Sequence, residues 1–331
     1  MPDSMFAHYP DPWPLRNRLA EVHGVPADWI AITAGTDEAI RLVFNCYVEE
    51  GARVLLPRPS AGAYLAAAQA GGAFVDRIDF EDDLSFPRDA FAKQLAARTP
   101  RLAVIGNPGS PTGSALPRDA LLGLTRESPT TLMLIDEVYA SFHGSSVLDP
   151  EVRAELTPNV VVMRSFSKDF GLAGLRIGYL VGRPEILNAI SVVKPSYTIA
   201  ATSLFAATAA LGDLEAMRAR VGRRRALAER LGAALSMRGI EAVVTRAAFV
   251  LIKLTPPISN WSAAFAAHKI LVGTRGHVGP LSQYVRVTVT SEQDLETFCS
   301  AFDAVLAQGI SAAPRVEGQL GDWDDTTEGM A

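Results

Sequence analysis

Residues 160–178 read VVVMRSFSKDFGLAGLRIG, and this stretch indicates the fold more strongly than any other part of the chain. Its first four residues are all apolar, which is typical of a strand buried on both faces of a parallel sheet. Lys168 follows where that strand ends, and Arg176 lies eight residues further on. A lysine held at a strand end, with hydroxyl groups before it and an arginine nearby, suits covalent attachment of a phosphorylated aldehyde.

The same kind of strand recurs between residue 30 and about residue 182, separated each time by a helical segment. The apolar stretches are 30–33, 54–57, 74–78, 102–105, 132–135, 160–163 and 179–181. Alternating strands and helices predict an α/β fold whose sheet is mostly parallel and seven-stranded, with helices on both faces. Thr36, just after the first strand, is expected to cap the helix that follows it.

Helices predominate after residue 183, and four short strand segments come later, at 241–245, 248–254, 270–272 and 284–289. Two strand pairs with flanking helices predict a smaller α+β domain. On the long helix at 214–238, the cluster Arg223-Arg224-Arg225 is expected to form a solvated face. We therefore divide the chain into an N-terminal segment that packs on the small domain or a dimer interface, a large domain, a small domain and an acidic, disordered tail. Their limits are 1–29, 30–212, 213–310 and 311–331.

Composition argues against several classes of protein. The formal net charge of −5 leaves no basic footprint for nucleic acid, and the longest apolar stretch, 198–211, is too short to span a membrane. No basic n-region with an apolar core stands at the N-terminus, so we expect a cytoplasmic protein. Cys46 and Cys299 are far apart and predict free thiols rather than a disulfide or a metal site, and no metal is expected.

Polar residues follow several predicted strands, at the edge where ligands bind in open α/β sheets. Gly35-Thr36-Asp37 opens a helix whose free N–H groups favour a phosphate, although an ordinary capped helix start explains it equally well. The Pro- and Gly-rich turn 107–113 can direct the Asn107 amide at a ligand oxygen or serve as a structural turn. Asp136 closes an apolar strand and needs a positive or donor partner, which a protonated pyridine nitrogen, a cap or an ion pair would supply.

Taken in order, these motifs resemble fold-type I pyridoxal phosphate (PLP) aminotransferases: Asn107-Pro-x-x-Pro-Thr-Gly113, Asp136-Glu-x-Tyr139, Ser165-x-Ser-Lys168 and Arg176. Three further segments are similar to the histidinol-phosphate aminotransferase-like branch in particular: Tyr9-Pro-Asp-Pro12, residues 34–38 and residues 172–178. The resemblance covers about residues 8–308. It implies PLP as cofactor, a small-molecule amino donor, a 2-oxo acid acceptor and a homodimer with its sites at the interface.

The resemblance also implies a role for each matching residue. Lys168 forms the Schiff base with the cofactor and, once released, acts as general base. Asp136 keeps the pyridine nitrogen protonated, and Asn107 and Tyr139 hydrogen-bond the ring 3-oxygen. The cofactor phosphate is held by Ser165, Arg176, the Gly35, Thr36 and Asp37 turn and, from the other subunit, Tyr9. Arg286 binds the acidic group of the substrate, for which a guanidinium fork is suited.

Two positions outside these motifs depart from the family pattern. Ala61 stands where relatives carry an aromatic residue that stacks on the pyridine ring, and Tyr64 is expected to be structural. Gly273 stands where histidinol-phosphate enzymes place an arginine, which Arg275 can replace. Two alternatives to amino-group transfer stay open at this point: another PLP reaction, such as threonine-phosphate decarboxylation, and a cofactor-binding protein with little catalysis.

Overall fold

The computed structural model describes residues 7–253, 261–273 and 279–307. Seven strands form its larger sheet: β1 (Ile30–Thr33), β2 (Arg53–Arg58), β3 (Phe74–Asp79), β4 (Leu102–Gly106), β5 (Leu132–Asp136), β6 (Val160–Ser165) and β7 (Gly178–Gly182). The helices of this part are α1 (Trp13–His23), α2 (Gly35–Tyr47), α3 (Gly62–Ala70), α4 (Arg88–Arg98), α5 (Arg118–Glu127), α6 (Ala140–His143), α7 (Pro184–Val193) and α8 (Ala201–Leu211).

The strands of the larger sheet lie in the order β1-β7-β6-β5-β4-β2-β3. Strands β2 to β6 pair in parallel, whereas β7 is antiparallel to both β1 and β6. β1 therefore runs in the same direction as β6, so the carboxyl ends of β1 to β6 and the amino end of β7 share one edge of the sheet. The predicted α/β fold with a mostly parallel seven-stranded sheet is confirmed.

Hydrophobic packing covers both faces of this sheet because successive strand residues point to opposite sides. In β4, Leu102 and Val104 join the core beneath α2, α3 and α7. Ala103 and Ile105 join the other core, beneath α1, α4, α5 and α8. All four side chains are fully buried. Two-sided burial requires strands that are apolar on every residue, which is why these strands are conspicuous in the sequence.

A three-stranded antiparallel sheet follows, in the order β10-β9-β8. Its strands are β8 (Ala242–Val244), β9 (Val250–Lys253) and β10 (Tyr284–Val287), and its helices are α9 (Leu214–Ser236), α10 (Trp261–Ala266) and α11 (Glu292–Ala307). A separate hydrophobic core joins α9 and α11 to this sheet through side chains such as Leu231, Ile252 and Phe302. The arrangement agrees with a smaller α+β domain, while the domain limits stay predictions.

Two local predictions are wrong. The segment 270–272 is not a strand. Gly273, the residue after it, pairs with Arg286 in an isolated β-bridge. Thr36 does not cap α2, because the helix begins one residue earlier, at Gly35, and the Ala34 N–H donates instead to Glu38 Oε2 at 2.6 Å. Predictions for Arg275 and for the tail at 311–331 lie outside the described residues.

The described residues were compared with the requirements of a membrane span, a metal site and a disulfide. No helix in them combines the length and the apolar character that crossing a membrane requires. No group of three or more His, Cys, Asp or Glu side chains in those ranges is placed to hold a metal ion. Cys46 and Cys299 are free thiols, as predicted, and each is partly buried.

A buried ion pair joins the ends of β5 and β6. Glu137 is completely inaccessible and accepts from Arg164 Nε at 3.0 Å, while 13% of the Arg164 side chain is accessible. Ser146 Oγ donates to Glu137 Oε2 at 2.6 Å, and the Val147 N–H donates to Oε1 at 2.8 Å. These contacts hold the polypeptide directly after Asp136.

Glu137→Gln is expected to lower the free energy of unfolding by about 3–5 kcal/mol, because it leaves the Arg164 charge buried without its counterion. Urea denaturation of the cofactor-saturated protein measures the change. Glu155→Gln is the matched control, since the Arg126–Glu155 pair is about half exposed, at 48% and 52%. It should cost no more than about 1 kcal/mol. Equal effects of the two substitutions would contradict the expectation.

Candidate active site

Lys168 lies just beyond the carboxyl end of β6, on the edge of the sheet that the strand directions define. Its Nζ is 5.5 Å from the centroid of the Tyr139 ring, at the start of α6. Ser165, the last residue of β6, is buried, and its Oγ accepts from the Ser167 N–H at 3.0 Å. The lysine side chain itself is partly buried. The structure thus places a primary amine between a fixed turn and an aromatic face.

Asp136 ends the neighbouring strand β5 and presents its carboxylate along the same edge. The Val138 N–H donates to Oδ1 at 3.0 Å, and the Tyr64 hydroxyl donates to Oδ2. Burial raises the pKa of Asp136, and the hydrogen bonds from Tyr64 and Val138 and the charge of Lys168 oppose that rise. A desolvated carboxylate of this kind is stabilised further by a cationic N–H partner.

Arg176 and the start of α2 form a polar corner beside the lysine turn. Arg176 Nη2 lies 3.0 Å from Asp37 Oδ2, and Nη1 donates to Ser167 Oγ at 3.5 Å. Gly35 has φ +77°, a backbone conformation that favours glycine, and a Cβ there would stand 2.7 Å from Arg176 Nη2. Thr36 lies in the same first helical turn. A guanidinium, a hydroxyl and a helix N-terminus together suit a phosphate group.

Asn107 is buried, and its side-chain amide forms hydrogen bonds within its own loop that the sequence did not indicate. Its Oδ1 accepts from the Leu116 N–H at 2.7 Å, and its Nδ2 donates to the Leu116 carbonyl at 3.3 Å. An amide NH₂ carries two protons, so one N–H of Nδ2 is left for a ligand oxygen. The Asn107 N–H also donates to the Asp136 carbonyl at 2.8 Å, which ties the ends of β4 and β5 together.

Arg286 reaches the large sheet from β10. Its Nη1 donates to Ser110 Oγ at 3.0 Å, within the turn 107–113. Its guanidinium carbon lies 5.2 Å from the centroid of the Phe249 ring, and that ring packs edge-on against Tyr139 at 5.9 Å. A continuous series of contacts therefore runs from Lys168 through Tyr139 and Phe249 to Arg286.

Tyr9 is not brought to these residues within the chain. Its side chain is 77% exposed, and its ring stacks on Tyr197 with the centroids 4.2 Å apart. Among the described residues, no contact joins Tyr9 to Lys168, Asp136 or Arg176. The predicted role of Tyr9 in a second subunit is compatible with this position and stays a prediction.

Two residues near the site were not predicted to contact it. Arg224 is partly buried and donates from Nη1 to the Lys168 carbonyl at 3.1 Å, so the predicted solvated face is wrong for this member of the Arg223-Arg224-Arg225 cluster. Helical spacing could have indicated this burial. Val221 lies three residues before Arg224 and Ala228 four residues after it, and both are buried on the same helix. Tyr64 is buried as a structural residue would be, yet its hydroxyl contacts Asp136, a contact that no local pattern reveals.

The side chains of the site match the groups of PLP one by one. The corner at Arg176 suits a phosphate, Asp136 suits a protonated ring nitrogen, and the Lys168 amine suits an aldehyde. The Tyr139 hydroxyl and the remaining N–H of Asn107 are donors suited to a ring oxygen. These are complementary chemistries on five separate segments, so the residues present fit the cofactor.

Comparison with known proteins shows the family directly. The profile of the family described as "Aminotransferase class I and II" matches residues 4–302, and the chain belongs to that family. It is a PLP-dependent aminotransferase.

The most similar curated relatives include histidinol-phosphate aminotransferase of Symbiobacterium thermophilum, which is 35% identical over 89% of this chain and 81% of that protein. Histidinol-phosphate aminotransferase 2 of Ralstonia nicotianae is 30% identical over 93% of this chain and 83% of its own length. Among solved structures, histidinol-phosphate aminotransferase of Sinorhizobium meliloti in complex with pyridoxal-5'-phosphate superimposes with a TM-score of 0.85. That likeness covers 91% of this chain and 84% of the other at 23% identity, and it shows the fold alone.

Proposed function

We propose that this aminotransferase moves an amino group between an amino acid, or an amine resembling one, and a 2-oxo acid, with Lys168 as the residue that bonds the cofactor. The observation that supports this best is the series of contacts from Lys168 through Tyr139 and Phe249 to Arg286. An amine lies at one end of this series and a guanidinium suited to an acidic group at the other, and a substrate carrying both an amino and an acidic group needs both.

Each residue then has a defined task. When bound, PLP supplies an electron sink for the charge that develops at the substrate carbon. Asp136 holds a proton on the ring nitrogen through its carboxylate, and Arg176 holds the phosphate. Tyr139 and Asn107 orient the ring oxygen, and the Lys168 amine, once free, moves the proton at the substrate carbon.

Histidinol phosphate is the first donor to test, since that substrate is in the names of the curated relatives. Arg286 can bind a carboxylate or a phosphate. Gly273 packs against its side chain, and a Cβ there would meet Arg286 Nε at 3.3 Å. Position 273 is glycine, whereas the resemblance leads one to expect an arginine there. Amino acids with a free carboxylate are therefore the second class of donor to test.

A screen of amino donors and 2-oxo acceptors, followed at the absorbance of the bound cofactor, tests the proposal. Turnover with formation of a 2-oxo product supports it. Release of carbon dioxide without such a product would assign the alternative decarboxylation. Cofactor binding without turnover on any donor would leave a binding protein.

Arg286→Gln is expected to raise KM for the amino donor by about 10- to 100-fold, because one charge-assisted contact to the acidic group is lost. Steady-state kinetics at saturating cofactor measures it. Arg230→Gln is the control, since Arg230 forms an exposed pair with Glu292 on the same small domain. An unchanged KM in the Arg286 variant would move the acid-binding site elsewhere.

We further propose a homodimer. Large apolar side chains are exposed on the N-terminal segment and around α7, including Tyr9, Trp13, Val192 and Tyr197. An exposed apolar face of this kind supports association of two chains. In the dimer, Tyr9 of one chain would reach the corner at Arg176 in the other. Light scattering of the cofactor-bound protein should give twice the mass of the chain, and a monomer would contradict the proposal. Location in the cytoplasm stays a prediction.

A further inference from the structure

We infer that Arg224 is a positioning residue for Lys168: its guanidinium holds the Lys168 carbonyl and so sets where the lysine amine points. The inference rests on the proposed role of Lys168. Arg224 itself touches neither the cofactor nor the substrate in this role, and acts through the turn that carries the lysine.

The contact is specific in its geometry. Arg224 Nη1 donates to the Lys168 carbonyl at 3.1 Å, and the guanidinium carbon lies 5.2 Å from the centroid of the Phe142 ring. Packing on that ring fixes the plane of the guanidinium, and a charged donor makes a stronger hydrogen bond than a neutral one. Arg223 and Arg225, the neighbours on α9, are exposed.

The next residue of the turn, Asp169, has hydrogen bonds of its own. Ser141 Oγ donates to Asp169 Oδ2 at 2.6 Å, and the Phe170 N–H donates to Asp169 Oδ1 at 2.9 Å. These bonds hold Asp169, and the Lys168 carbonyl belongs to the peptide group directly before it. Arg224 restrains that carbonyl, and thereby the direction in which the lysine side chain leaves the backbone.

Partial burial is costly for the Arg224 guanidinium. Its Nε is buried with no hydrogen-bond partner among the described residues. Burial lowers the pKa of its guanidinium and the Arg220 charge adds to this, whereas Tyr139 and the Asp169 carboxylate oppose it. A partly buried cation with an unpaired N–H is costly, and an apolar side chain of similar length would serve packing equally well. The hydrogen bond to the Lys168 carbonyl offsets part of this cost and gives the guanidinium a defined partner.

The position of α9 gives the contact a further consequence. Leu227, Leu231 and Leu235 of this helix pack in the same core as Val285 and Val287 of β10, the strand that carries Arg286. Arg224 therefore ties the lysine turn to the unit that holds the substrate-binding arginine. Helix α9 thus contacts both the turn that carries the Lys168 amine and the sheet that carries the Arg286 guanidinium.

Three variants test the inference: Arg224→Met, Arg224→Lys and the control Arg223→Met. Cofactor bound to Lys168 is trapped with borohydride and counted by peptide mass spectrometry, and kcat and KM are measured per trapped site. Arg224→Met should trap the cofactor fully but lower kcat by about 10- to 100-fold, with KM for the donor nearly unchanged, because misplacing a reacting group slows the chemical step. Arg224→Lys keeps a cationic donor and should recover part of kcat, and Arg223→Met should match the wild type.

Several outcomes would overturn the inference. Arg224→Met could keep the wild-type kcat, or its loss of activity could equal its loss of trapped cofactor, which indicates a role in folding. Equal kcat values for the methionine and lysine variants would count against it as well. Failure of the wild type to trap cofactor on Lys168 would instead refute the proposed function, whatever the Arg224 variants do.

Discussion

Lys168→Ala is expected to abolish amino-group transfer, with a loss of about 10³-fold or more, because it removes both the covalent attachment and the proton-transferring amine. Lys168 is the amine that lies against Tyr139, with its Nζ 5.5 Å from that ring. Borohydride treatment followed by peptide mass spectrometry should find no cofactor on residue 168, and the absorbance of the lysine-bound form should be missing.

Lys253→Ala is a suitable control for that experiment. Lys253 pairs with Glu241 at 3.1 Å at the end of β9, and 32% of its side chain is accessible. Its removal should leave both trapping and turnover unchanged. Covalent trapping at wild-type yield in Lys168→Ala would show that another amine holds the cofactor, and would require the site to be assigned again.

Asp136→Asn is expected to have two effects of opposite sign. Turnover should fall by about 10²- to 10³-fold, since the neutral amide no longer stabilises a positive ring nitrogen as charge develops. The cofactor-free protein should become more stable at neutral pH, since a desolvated carboxylate is removed. Steady-state kinetics and thermal unfolding of the cofactor-free protein measure the two effects.

The pH dependence of the second effect follows from the direction of the pKa shift. Burial raises the folded-state pKa of Asp136, so the folded protein keeps this proton at pH values where the unfolded chain has lost it. Ionisation therefore destabilises the folded protein once the pH exceeds the unfolded pKa of about 3.9, and the destabilisation is complete above the folded pKa. The stability gained by Asp136→Asn should be absent near pH 3 and full at high pH.

Asp303→Asn provides the opposite control. Asp303 lies 2.6 Å from Arg238 on the surface, and its hydrogen bond to Arg238 lowers the pKa of its carboxyl. Its replacement should slightly destabilise the protein above the unfolded pKa and leave turnover unchanged. If Asp136→Asn and Asp303→Asn shifted stability in the same direction, the carboxylate of Asp136 would not be desolvated as described.

Sequence alone determined the large sheet and the residues at its active edge. Strands buried on both faces must be apolar throughout, so β4, β5 and β6 stand out without any knowledge of their neighbours. Parallel strands end at a common edge, which is enough to group Asp136, Lys168 and the start of α2 before any coordinates are known. The family resemblance added the roles, which composition and spacing left open.

Tertiary structure decided the contacts that local patterns cannot encode. Glu38, not Thr36, satisfies the start of α2, and Tyr64 reaches Asp136 across 72 positions of sequence. The sequence predicts Arg224 to be a surface arginine, but the packing of α9 brings it to the Lys168 carbonyl. Propensity and periodicity report which face of an element is buried, but the partner on that face comes from another part of the chain. Only packing of the whole chain determines which donor meets which acceptor.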